Sequence, residues 1–274
     1  MKRRGHFLSA NDGNARAALR FVGAALMCVT LSAVAMAVGL NDTGFTTCAD
    51  ASGATVSCTA ATAVQGQDAR YGRDAAAGTG ALTKVGGGAN GFDFTKISNA
   101  GNPLLATAPL GTAAGEWGCT YDNTTGLMWE VKTTSGLRAH PYVYSWYSTD
   151  SSSNGGAVGT AGAGGCFDPL RCDTQAYVQD INAASMCGHN DWRLPTVREL
   201  FGVTRAGNVI DSGYFPQPYY APSPLYWSGS TYAANSDSAY IVSFYSSGIG
   251  LKSKTQGNSN NPVYAYVRVV RVGR

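Results

Sequence analysis

The chain has 274 residues, of which 44% are hydrophobic and only 14% charged, with 35 glycines and 15 tyrosines. So few charges exclude a coiled coil, which needs Glu and Lys flanking Leu heptads, and the Val, Ile, Phe, Tyr and Trp of the second half exclude wholesale disorder. The net charge of +3 comes from the first 37 residues (Lys2, Arg3, Arg4, Arg16 and Arg20 against Asp12); the remainder carries 15 basic against 16 acidic residues and exerts no global pull on nucleic acid.

The chain begins with Lys2-Arg3-Arg4, continues into an uncharged apolar run from Phe21 to Val38, and reaches the small-x-small triplet Ala35-Met36-Ala37. This order reads as a secretory signal peptide over residues 1–37, cut near Ala37. The run is just long enough to cross a bilayer, so an uncleaved anchor is the rival reading. Met27 is too bulky to precede a lipidated Cys28. Export to the periplasm, cell surface or medium, with no membrane span after cleavage, is the expectation. Six cysteines then remain: Cys48, Cys58, Cys119, Cys166, Cys172 and Cys187. An even count in an exported chain argues for disulfides, with many pairings open. The short separations favour Cys48–Cys58 and Cys166–Cys172, which leaves Cys119 with Cys187. No C-x-x-C occurs and His189 alone stands near a cysteine, so a structural zinc site is not expected.

Residues 38–116 are rich in Gly, Ala, Thr and Asn, and their apolar residues recur at no period. They read as an extended N-terminal arm pinned by a small disulfide loop. Gly86-Gly87-Gly88 lacks the context of a phosphate-binding loop. From Trp117 a folded domain, residues 117–274, is expected. Asp122-Asn123 marks a turn before a strand Leu127–Lys132. Ser148–Gly165 reads as a flexible surface insert. Apolar spacing predicts a helix over Thr174–Met186, capped by Asp173 and stopped by Gly188. Thr196 and Glu199 form a capping-box pattern for a second helix, Val197–Thr204. Strands Leu225–Ser230, Ala239–Tyr245 and Val263–Val272 follow, with Gly248–Gly250 as a turn and Asn258–Pro262 as a loop. The class is α+β, two helices with an antiparallel meander.

Three segments carry a resemblance: Asp122–Trp129 (DNTTGLMW), Asp191–Leu200 (DWRLPTVREL), and Tyr226-Trp227-Ser228 through Ala239, Val242 and Phe244 to Val267–Arg271. Together they resemble the Lcl C-terminal domain family, named for a collagen-like adhesin, over roughly Trp117–Arg271. The resemblance implies a C-type-lectin-like fold and surface binding, of sulfated polysaccharide in the adhesin itself. The Arg-Leu-Pro-Thr segment is also similar to one in sulfatase-modifying enzymes that make formylglycine. No collagen-like repeat precedes the domain, and basic residues for a polyanion are few.

An enzyme is not expected. Catalysis needs a nucleophile, a base and an orienter within reach; only His140 and His189 remain after the leader, the carboxylates are scattered, and no cysteine follows Cys187 for formylglycine chemistry. Trp129, Trp192 and Trp227 lie in the family's core motifs and are expected in the core; Pro195 and Arg268 are expected as structural residues of the same motifs. Arg193 and Glu199 are expected to form a buried ion pair ordering the Pro195 loop. Calcium-dependent sugar binding is a minor alternative, since Asp237 with Asn235 is the one tight oxygen group of the meander; no other cofactor is expected. The candidate ligand-binding face lies in Gly229–Tyr266, whose Tyr, Ser and Asn content matches antibody paratopes: Tyr232, Asn235, Asp237, Tyr240, Tyr245, Lys252, Lys254, Asn258, Asn260 and Tyr264. Alternation places Ala239, Val242 and Phe244 inward and Tyr240, Ser243 and Tyr245 outward. The expected partner is an extracellular glycan or protein, and a retroelement-diversified variable segment is an expectation that some lectin-like families suggest. The alternatives are a structural envelope protein without soluble ligand and an enzyme of the sulfatase-modifier type.

Overall fold

The computed structural model describes residues 39–205, 209–216, 224–245, 248–255 and 263–274. The segment 1–37, expected as a signal peptide, and the candidate residues Asn258 and Asn260 lie outside the described residues. A two-strand hairpin, β1 (Cys48–Ala49) and β2 (Thr55–Val56), is clasped by the Cys48–Cys58 disulfide. A short helix α1 (Gly72–Gly78) follows. Strand β3 (Phe94–Ser98) then pairs along β4 (Trp117–Asp122) from Phe94↔Asp122 to Ser98↔Trp117. The sheet therefore begins inside the segment read as an arm, and Phe92 and Phe94 are each 1% exposed.

β4 turns into β5 (Leu127–Glu130) through the Asp122-Asn123 turn that the sequence marks. The Asp122 carboxylate accepts from the amides of Thr124 and Thr125, and Gly126 takes φ +73° to close the turn. Next come β6 (Val143–Ser145), β7 (Gly164–Gly165), α2 (Thr174–Ala183) and α3 (Val197–Gly202). The chain ends with the pair β8 (Thr204–Arg205) and β9 (Val209–Ile210), then β10 (Leu225–Thr231), β11 (Ser238–Ser243), β12 (Gly248–Ser253), β13 (Tyr264–Ala265) and β14 (Val270–Val272). The larger sheets run β14-β5-β4-β3, β10-β11-β12 and β13-β6-β7, all antiparallel. The chain is thus α+β with few helices, and no described helix is long and apolar enough to cross a membrane.

Both predicted helices exist, shorter than the spacing suggested. α2 has its Asp173 cap, whose carboxylate accepts from the Ala176 amide at 2.8 Å. It stops at Ala183 because Ser185 and Cys187 turn left-handed (φ 48° and 51°), which carries Cys187 to Cys119. α3 has the full capping box of Thr196 and Glu199 and ends at Gly202, since Thr204 already belongs to β8.

Gly248–Gly250 is not a turn: it opens β12, and Gly250 faces Ile241 across the ladder. The expected strand Val263–Val272 is two strands in different sheets, β13 against β6 and β14 against β5. Glu130 causes the break. Its amide donates to Val269 O at 3.0 Å while its carboxylate accepts from the Val269 amide at 3.1 Å, so a side chain replaces one rung of the ladder. The β10–β11 pair lies between two apolar clusters. Trp227 and Ile241 face one, with Trp146, Trp192 and Tyr177; Tyr226 and Val242 face the other, with Trp129, Phe215 and Leu200.

Candidate ligand-binding site

The residues expected to form a ligand face do not converge. Tyr232 and Tyr240 are half-buried and meet edge to face at 5.7 Å, with Asn235 and Asp237 exposed in the turn between their strands. Tyr245 is 56% exposed beyond β11, and Tyr264, 37% exposed, sits on β13 in another sheet. Ser243, expected outward, is 1% exposed, because β11 is covered on both faces.

The two lysines correct the reading most sharply. Lys252 and Lys254 are 6% and 0% exposed, so neither is displayed to an acidic ligand. Lys254 Nζ donates to Asn154 O at 2.9 Å, Ala157 O at 3.3 Å and Thr231 Oγ1 at 2.8 Å, and stands 3.8 Å over the Trp146 ring. Burial pushes its pKa from 10.5 down to about 8, against the pull of Asp237. It clips the 148–157 loop, read as a flexible insert, onto the domain. The loop is held further by Ser148 N to Val158 O at 2.9 Å and by Gly159, whose φ of +83° sets it where a Cβ would strike Trp146 O.

The motif residues are structural. Trp129, Trp192 and Trp227 are 0%, 2% and 0% exposed. Trp227 Nε1 donates to Tyr144 O at 2.8 Å and Trp192 Nε1 to Met186 O at 3.0 Å. Arg268, wholly buried, donates to Glu130 O at 2.5 Å. Beside it Lys132 Nζ lies 2.7 Å from Glu130 Oε1 and donates to Tyr177 Oη, which in turn donates to Glu130. Burial drives Lys132 from 10.5 down to about 8 despite Glu130, and burial with the Glu130 charge drives Tyr177 well up. Pro195 O accepts from the Gly229 amide at 2.7 Å, tying the Arg-Leu-Pro-Thr turn to β10. The Arg193–Glu199 pair is bidentate at 2.8 and 2.6 Å, as that turn needs. It is only half-buried, 43% and 21% exposed at the side chains, because Arg193 reaches a cleft. Burial raises the Glu199 pKa, but the bonds from Arg193 and Thr196 outweigh it and hold the carboxylate ionised.

That cleft is the best-formed candidate site. It has a volume of 410 Å³ and lies between the loop residues Tyr147–Ser153, the Thr174–Gln179 face of α2, the turn Arg193–Thr196, and Gly229. Through Ser153 and Gly229 it continues into a shallower hollow of 470 Å³ lined by Ser230, Thr231, Tyr232 and Ser236. Leu194 and Val178 give an apolar floor; hydroxyls and the amides of Gln175 and Gln179 give the walls. Its carboxylate, Asp150, already accepts from the Ser152 amide and hydroxyl and from Ser153, which lower its pKa. Of the residues singled out in the sequence, Tyr232, Arg193 and Thr196 line this surface. The 148–155 loop was missed; its Asp150-Ser-Ser-Ser-Asn154 run, a side-chain-capped turn signal, is what could have marked it as ordered.

At Asp237 and Asn235 the Asp237 amide donates to Asn235 Oδ1 at 3.0 Å, an ordinary turn contact. Among the described residues three carboxylates gather at Asp42, Asp68 and Asp74. Asp74 there accepts the amides of Gly44 and Gly91 at 2.6 and 2.7 Å, and Asp42 accepts the Asp74 amide at 2.8 Å, so this cluster ties loops together.

An antiparallel α+β domain braced by Cys119–Cys187 and Cys166–Cys172, carrying an open cleft rather than an enclosed pocket, defines the class. The Lcl C-terminal domain matches residues 118–271, more than half of the 274, and the chain belongs to that family. No curated protein and no solved structure matches the chain.

Proposed function

We propose that the chain is an exported, adhesin-like binding protein whose domain is C-type-lectin-like and whose cleft takes a glycan or a segment of a protein. The cleft carries the reading. Its walls offer hydroxyls and amides over an apolar floor, the mixture that recognises a polar ligand by hydrogen bonds and close packing, and buried Lys254 holds its loop in place. Export is supported by the basic leader and by disulfides that match an oxidising compartment. Binding is favoured over turnover because the carboxylate of the cleft is committed to its own loop. A diversified segment would vary rim positions such as Tyr232 and Ser236 and keep Lys254 fixed; sequencing sibling loci tests that. The functional test is a glycan and protein binding screen on residues 38–274. A saturable ligand lost on filling the cleft supports the reading, and a chain that binds nothing favours a structural envelope role.

A further inference from the structure

A second hollow, apart from the cleft, lies at the other end of α2, behind the Cys119–Cys187 disulfide. It has a volume of 270 Å³, and Arg138 is the one charged residue among those lining it. The guanidinium is held by neutral oxygens alone: Nη1 donates to Gly118 O at 2.8 Å and Val131 O at 3.5 Å, and Nη2 to Asn99 Oδ1 at 2.9 Å. Asn99 is itself fixed, its amide donating to Gly111 O, Ala113 O and Glu116 O. The arginine is therefore oriented without being neutralised, and its Nε–H meets no acceptor among the described residues. The ion pairs of the described residues engage Lys132, Arg171, Arg193 and Arg271, not Arg138.

The loop above Arg138 adds donors. The backbone amides from Thr134 to Arg138 meet no acceptor among the described residues, and Gly136 turns left-handed at φ +75° in their midst. Consecutive unbonded amides around such a turn favour an anion. The opposite wall is apolar, with Leu137, Ile181 and Met186.

We infer that this hollow is a binding site for a small hydroxylated monocarboxylate of the acid-sugar type. A planar guanidinium matches a carboxylate better than a spherical anion. One cation suits one negative charge. At about 30 Å³ per water, the volume is that of a single sugar residue. The hydroxyls of Ser135 and Thr112 suit ligand hydroxyls, and the apolar wall suits a ring face.

The test is a titration of residues 38–274 with D-glucuronate, followed by the amide signals of Ser135 and Gly136 and the Nε–H signal of Arg138 in NMR spectra. Saturable shifts are expected with glucuronate and not with glucose. Ser135→Glu, an exposed substitution that places a negative charge at the mouth, should abolish them while leaving the melting temperature unchanged. Arg138→Gln should also abolish them; because Arg138 supports Gly118 and Asn99, the Ser135 variant keeps the test independent of folding. Equal shifts with glucose or with sulfate, or glucuronate shifts that survive Ser135→Glu, overturn the inference. Filling the cleft with Gln179→Trp should leave these shifts intact, so failure here and failure of the cleft reading are separate results.

Discussion

The Lys254→Met substitution separates a buried staple from a displayed ligand-binding lysine. Methionine keeps the apolar stem over Trp146 and removes the ammonium. Ala157 O then loses its donor, while Asn154 O keeps the Ala157 amide at 3.2 Å and Thr231 Oγ1 keeps its bond to Ser153 O at 2.9 Å. One stranded carbonyl costs about 1–3 kcal/mol, and the cation over the indole adds about 2 kcal/mol, some 4 kcal/mol in all. Against this, removing a buried ammonium whose pKa falls from 10.5 to about 8 returns about 3 kcal/mol. The net expectation at neutral pH is a loss of about 1 kcal/mol, or a melting temperature lower by about 2–4 °C for a domain of this size. Hydrogen exchange should quicken at the Ser148 and Thr160 amides, which bond across the loop base. A variant as stable as the parent, with unchanged exchange in the loop, would refute the staple and return Lys254 to the surface.

Intact mass under non-reducing conditions should show the six cysteines from Cys48 to Cys187 paired, and breaking Cys119–Cys187, separated by 68 residues, should cost about 4 kcal/mol against about 3 for Cys48–Cys58, separated by 10; free thiols in residues 38–274 would contradict this. Trp227→Ala removes a fully buried ring and its bond to Tyr144 O and should cost about 3–5 kcal/mol, seen in thermal melts or as lost secretion; parental stability would show that the ring is not core. Stability should rise with pH from about 8 towards 10: Lys132 and Lys254 release protons near 8 when folded and near 10.5 when unfolded, so the unfolded state holds more protons in that window. Above about pH 10 the raised Tyr144 and Tyr177 reverse the trend, because the unfolded tyrosines ionise first; melts that fall steadily from pH 7 to 10 would contradict the lysine burial.

Local chemistry made much of the fold legible. Asp173, Thr196 and Glu199 announce helix starts because caps are contacts within three residues, and Asp122 announces its turn for the same reason. The tryptophans read as core because rings of that size between turn residues have few other places to go. What the sequence concealed depends on distant partners. The Val263–Val272 run splits because Glu130, more than a hundred residues earlier, takes the place of a ladder rung. Lys252 and Lys254 look like displayed cations until Asn154 and Trp146 close over the second of them. The arm reads as separate because its apolar residues lack periodicity, yet Phe92 and Phe94 are anchored by Phe215 and Tyr214. The cleft draws on the 148–155 loop, α2, the Arg-Leu-Pro-Thr turn and β10, so no single stretch of sequence displays it.

Entry of ligand into the cleft beside α2 can be tested directly. A binding screen should first return a glycan or protein ligand for residues 38–274, which is then titrated against the parent, Gln179→Trp and Tyr245→Ala. Gln179 is exposed on α2 at the cleft wall, so tryptophan there fills the site without touching the core; Tyr245 is exposed but lines neither hollow of the cleft. Gln179→Trp should weaken binding at least about tenfold, or 1.4 kcal/mol, while Tyr245→Ala should bind like the parent. Undiminished binding by a folded Gln179→Trp protein would contradict it.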